Sequence, residues 1–175
     1  RLDSSDMTMA FSPNPEPLPG EPAGASSHDR LLLAAKRLFA SRGYENTSTA
    51  AIARAAGTSE SQLIKHFGGK EGLLEAIFDQ GWEKMGQGFR ALQELRSPSD
   101  KLRRLLDLLL DSLERDPDLK QLMLLEGRRI SKEGHMVVLT RGYLGLVRIV
   151  DDVLAQMRDS GELRSDLHPQ AIRSG

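Results

Sequence analysis

Gln62 and Lys65 lie three residues apart, flanked by Glu60, Ser61 and Ile64, in a stretch rich in short hydroxyl side chains: Thr47, Ser48, Thr49 and Ser59. This set suits nucleic acid. A glutamine can bond adenine at two points, a lysine can reach guanine O6 or N7, and a glutamate accepts from the cytosine amine. Hydroxyls and main-chain amides at helix starts favour phosphate, which adds Thr47, Ser48, Thr49, Ser61, His66 and Lys70 as candidate backbone contacts. Several of these residues have a second use. Gln62 can be spent on a helix cap, Lys65 on a sequence-independent phosphate contact, Ile64 on inward packing rather than a thymine methyl, and His66 on a ring wedged beside Phe67.

Other chemistry finds little support in the chain. The four histidines, His28, His66, His135 and His168, show no metal-ligand spacing, no glycine loop cradles a phosphate, and no nucleophile and base are set in a known pattern. The absence of cysteine excludes disulfides and thiolate metal sites, and no apolar run reaches membrane-spanning length. No enzyme activity, cofactor or metal is therefore expected, nor a membrane partner, and a cytoplasmic location is.

The elements that must position the polar set are two short helices. Ser48 carries the side-chain oxygen that opens a helix, and Ile52, Ala53 and Ala56 recur on one face, which predicts a helix over about Thr49–Ala56. Gly57 follows where a left-handed turn is cheap only for glycine, and Ser59-Glu60-Ser61-Gln62 reads as a capping box. Leu63 and Phe67 then form a buried i, i+4 pair, so a second helix runs over about Glu60–Phe67. Two short helices on a tight turn make a helix-turn-helix, in which the second helix enters the major groove while the first crosses the backbone. Upstream, Leu31, Leu32, Ala35, Leu38 and Phe39 make the apolar rows of an amphipathic helix that ends at Gly43.

With these residues in place, the run from about Arg30 to Ala76 resembles the tetracycline-repressor (TetR) family of bacterial transcription regulators. The carrying residues are Ala34-Ala35, Leu38-Phe39, Gly43-Tyr44, Thr47-Ser48, Ile52-Ala53, Ala56-Gly57, Ser59, Leu63, His66-Phe67, Lys70-Glu71 and Leu73-Leu74. The resemblance implies a three-helix DNA-binding head, a fourth helix linking it to an all-helical regulatory body, and a homodimer on a palindromic operator. It also implies a small-molecule effector pocket among helices four to seven, for which Trp82, Met85, Phe89, Met123, Met136 and Tyr143 are candidate walls, with Arg128 or Glu126 as polar anchors. Such residues at helical spacing are more often core than ligand wall. The chain departs from the family at Ser61 and Ile64, where Gly and Tyr are usual, and at Gly69, where a serine usually caps the fourth helix.

Charge and composition bound the rest. Residues 28–75 hold seven Lys or Arg against five acids, a net of +2, so DNA affinity is expected to lean on geometry and dimer avidity more than on bulk charge. Residues 1–27 hold five of the eight prolines and one Arg against four acids, and read as a disordered leader. Downstream, Ser97-Pro98 and Asp116-Pro117 are helix starts, the leucines from Leu102 to Leu113 form an apolar stripe, and a long helix is predicted from about Met136 to Asp159. His168-Pro169 opens a further helix that stops within a few residues, so C-terminal helices are expected to be missing.

The expected architecture is all-α, with three units. These are a Pro-rich leader (1–27), a helix-turn-helix head (28–75, with the motif at about 49–68), and an antiparallel helical ligand-binding and dimerisation body (76–175). The expected function is a homodimeric, sequence-specific repressor, released from its operator by a small molecule. The rival is a helical interaction module whose helix-turn-helix no longer binds DNA because Glu60 and Ile64 spoil the phosphate face.

Overall fold

A computed structural model describes residues 24–162, and within them the chain is all-helical apart from turns and one isolated β-bridge. In order these are α1 (Ser27–Arg42), α2 (Thr49–Ala55), α3 (Glu60–Phe67), α4 (Lys70–Gly88), a 3-10 turn (Phe89–Glu94), α5 (Pro98–Arg115), α6 (Pro117–Glu126) and α7 (Arg141–Asp159). The expected leader falls largely on residues 1–23 and the His168-Pro169 helix start on residues 163–175, both outside the described residues.

Most helices begin where a short oxygen-bearing side chain meets a free amide. Ser26, Ser48, Ser59, Ser97 and Asp116 accept from the N–H groups of Asp29, Ala51, Gln62, Asp100 and Leu119 at 3.1–3.3 Å. Each such cap contributes about 1 kcal/mol. Pro98 and Pro117 occupy first-turn positions, where a missing N–H is no loss.

Among the described residues a main hydrophobic core runs from the helix-turn-helix side into the body, beside a small second cluster of Val153, Leu154 and Met157. Leu31, Ala35 and Phe39 of α1 pack with Ile52 of α2, Leu63 of α3 and Leu73, Leu74 and Phe78 of α4, and the same cluster continues into Leu105, Leu119, Leu122 and Val137. Helix α4 is the shared element, since its buried face meets both the helix-turn-helix side and α5, α6 and α7. α7 comes very close to it at Gly142, where an added Cβ would lie 2.6 Å from the Trp82 Cβ and 3.1 Å from the Asp79 carbonyl.

α4 stops at Gly88, and Phe89–Glu94 tighten into the 3-10 turn. One boundary differs from the sequence expectation: the helix predicted from Met136 starts only at Arg141. Residues 129–137 double back instead: Gly134 turns at φ 86°, Ile130 and Met136 form an antiparallel bridge, and the Ser131 amide donates to the His135 carbonyl at 2.7 Å. Met136 and Leu139 therefore sit in the α6–α7 connection, not on a helix.

Candidate nucleic-acid interface

The turn between α2 and α3 is closed by main-chain bonds. The amide of Ala56 donates to Ile52, that of Gly57 to Arg54 and that of Thr58 to Ala53, at 2.9–3.1 Å, with Gly57 at φ 59°. Glycine takes this left-handed conformation without the Cβ penalty. From α1, Arg30 Nε donates to the Ala56 carbonyl at 3.0 Å and braces the turn. Leu63, fully buried, then anchors α3 to the core.

With Leu63 inward, the opposite side of α3 faces solvent. Glu60, Ser61, Ile64 and Lys65 are exposed, Ile64 by 51%, so this isoleucine does not pack inward. The capping box is half formed. Ser59 Oγ accepts from the Gln62 amide and shares a 2.8 Å hydrogen bond with Ser61 Oγ, but the Gln62 side chain has no partner among the described residues. Lys65 Nζ likewise has none among them. Thr49 donates its hydroxyl to Glu60 Oε1 at 2.5 Å, tying the first residue of α2 to the first of α3.

The remaining candidates are turned elsewhere. Thr47 is 2% exposed, and its hydroxyl donates to the carbonyls of Gly43 at 2.8 Å and Leu38 at 3.3 Å, so its side chain is scaffold and not a phosphate contact. Ser48 Oγ is used in its cap. His66 lies at the seam with the start of α1, 3.4 Å from Ser27 Oγ and edge-on to His28 with ring centres 5.7 Å apart. Lys70 donates to the Tyr44 carbonyl at 2.9 Å and lies 4.3 Å from that ring's centre. Gly69 gives α4 no side-chain cap.

Sequence reasoning missed the joint between this head and the rest of the chain. Arg129 bonds Glu126 and Glu45, each at 2.8 Å, and sits 4.1 Å from the centre of the Tyr44 ring. Partial burial opposes its charge, yet Glu126 and Glu45 hold the guanidinium above its ordinary range; burial pushes the Tyr44 hydroxyl up in turn. Lys36 of α1 meets Asp116 at the start of α6, at 2.6 Å. Along one side of α4, Glu71 accepts from the Lys132 amide at 2.9 Å, Glu75 lies 3.1 Å from His135 Nε2, and Asp79 accepts from the Gly142 amide at 2.8 Å. The Trp82 indole extends this row by donating to the Val138 carbonyl at 3.1 Å. The acidic spacing 71, 75, 79 was the available signal.

The proposed effector walls do not converge. Met85 and Phe89 are core residues that border separate cavities of about 250 and 190 Å³, the first between α4, α5 and α6 and the second between α4, α5 and α7. Trp82 and Tyr143 meet edge to face with ring centres 5.5 Å apart, Met123 is half-buried, Met136 belongs to the bridge and Arg128 points to solvent. A third cavity of about 360 Å³, beside Glu75, Asp79 and His135, contains none of them.

A capped helix-turn-helix with an unspent amide and an unspent cation on its recognition helix, set on a helical body, defines a DNA-binding transcription regulator. Comparison with known proteins agrees. Residues 31–77 match the model of the tetR family of bacterial regulatory proteins. The chain is 27% identical over 150 residues to the fatty acid metabolism regulator protein of Bacillus subtilis (strain 168), covering 82% of this chain and 74% of that one. It is also similar to the crystal structure of FadR from Bacillus subtilis in complex with stearoyl-CoA, with a TM-score of 0.70, 26% identity, and 82% and 77% of the two chains covered. The fold is shared with AibR in complex with isovaleryl coenzyme A and operator DNA, at a TM-score of 0.63 and 24% identity over 79% and 76% of the chains. The match to the tetR family thus covers residues 31–77, the helix-turn-helix head, and the fold is shared with solved regulators of that family.

Proposed function

We propose that this regulator acts as a homodimeric repressor on a palindromic operator and is released by a small-molecule effector of the acyl-CoA class. Residues 28–75 would form the DNA-binding unit and 76–175 the effector-binding and dimerisation unit. The observation that carries the DNA half is the exposed side of α3, where Gln62 and Lys65 have no partner among the described residues. Gln62 suits adenine, Lys65 suits guanine or a phosphate, and Ile64 suits a thymine methyl. Ser59 and Ser61 at the start of α3, with Thr49 at the start of α2, would approach phosphates. The effector half draws on the stearoyl-CoA and isovaleryl-CoA complexes of the similar proteins. A cytoplasmic location follows from the DNA partner; among the described residues no helix is long and apolar enough to cross a membrane.

Recovery of bound genomic DNA with footprinting tests this reading. The expected result is a palindrome whose half-sites lie about one helical turn apart, roughly 34–36 Å. Lys65→Ala should weaken binding about tenfold if it reads guanine, or lower the salt slope by about one if it meets a phosphate. Operator binding unchanged in Lys65→Ala/Gln62→Ala would overturn the assignment of α3 as the reading helix. Titration of the bound operator with stearoyl-CoA and isovaleryl-CoA separately tests release.

A further inference from the structure

Glu60 is an unusual residue to find on a surface meant for a polyanion. It is exposed, it opens the helix that would enter the groove, and no cation pairs with it among the described residues. A carboxylate there is repelled by phosphates on any DNA, and that cost is offset only where the groove supplies a donor. Its helix position, in the first turn, is also where the N-terminal residues of a recognition helix meet base edges.

The carboxylate is also held. Thr49 Oγ1 donates to Oε1 at 2.5 Å, which fixes the side chain against α2 and leaves Oε2 as a bare acceptor. An acceptor fixed before binding gives up little rotamer freedom when it meets its donor. The major groove offers two amine donors. Adenine N6 lies between two acceptors, its own N7 and the thymine O4, which both repel a carboxylate, whereas cytosine N4 has an acceptor on one side only, the guanine O6, and its own C5–H on the other. We infer that Glu60, positioned by Thr49, is a specificity-determining residue that requires a cytosine at one position of each operator half-site. This rests on the DNA-binding reading above.

The test is selection from a random-sequence duplex pool with the full chain and with Glu60→Gln, Glu60→Ala and Thr49→Val, each checked for helicity by circular dichroism. The wild type should enrich half-sites with one column fixed as cytosine. Glu60→Gln should lose at least about tenfold discrimination at that column, admitting adenine, while the other columns stay as they were. Thr49→Val leaves the charge in place and removes the hydroxyl that holds it, so it should relax the same column by a smaller factor. If Glu60→Gln keeps every column and simply binds all sequences more tightly, Glu60 is a charge brake or a helix-dipole residue and the inference is overturned. A wild-type selection that enriches no sequence would instead overturn the DNA-binding reading itself.

Discussion

Replacing Arg129 by Met tests how strongly its charge is coupled to Glu126 where the body meets the head. The partners differ in their access to water: Arg129 is 27% exposed, Glu126 14% and Glu45 72%. The Glu45 pair is solvated and contributes less than about 1 kcal/mol. The Glu126 bond is charge-assisted and mostly dry, so its loss strands a carboxylate at a cost of about 2–3 kcal/mol. For a domain of this size that lowers Tm by about 4–12 °C. Glu126→Gln in the Arg129→Met background removes the stranded charge, so the double variant should recover much of the loss. Urea unfolding, followed through the fluorescence of Trp82, the one tryptophan in the sequence, reads all four members of the cycle. A coupling energy of at least about 1 kcal/mol is expected; single-variant costs that add within about 0.3 kcal/mol would refute the reasoning.

Two further expectations concern packing and pH. Gly142→Ala drives a methyl group against the Trp82 Cβ and the Asp79 carbonyl, and should cost about 1–3 kcal/mol despite the better helix propensity of alanine. A neutral or stabilising result in thermal unfolding would show that α7 can shift away from α4. The bond from the Ser26 hydroxyl, and then His28, holds the Asp29 carboxyl below its ordinary 3.8. Its contribution to stability is therefore present above about pH 3.8 and is lost as pH falls through the depressed value. Asp29→Asn should flatten that part of the acid limb in a stability-versus-pH profile.

Local features were legible in the sequence, and tertiary choices were not. Ser48, Ser59, Ser97 and Asp116 act on amides three residues away, so their roles follow from spacing alone. The outward face of α3 follows from the inward Leu63 in the same way. Thr47 looks like Ser48 and Thr49 in a sequence, but the carbonyls that claim its hydroxyl belong to Leu38 and Gly43, at the end of α1. Arg128 was the anchor the sequence suggested, and only the fold turns its neighbour Arg129 onto Tyr44 and Glu126. Met136 fits the apolar period of α7, yet the turn at Gly134 and the bridge to Ile130 take its backbone out of the helix. The effector candidates failed to converge because helical spacing marks burial, which core residues and cavity walls share.

The carboxylates of α4 at positions 71, 75 and 79 fall on successive turns, so their attachments to the α6–α7 connection and the first turn of α7 stand about 6 Å apart along the axis, like rungs. Such a ladder distinguishes two motions. A roll of α4 about its own axis strains every rung together and must break them as a unit. A tilt that lifts the N-terminal end, where α3 joins, opens the Glu71 rung first and leaves Asp79 as the fulcrum. The same polar contacts thus resist torsion cooperatively and yield to bending one at a time.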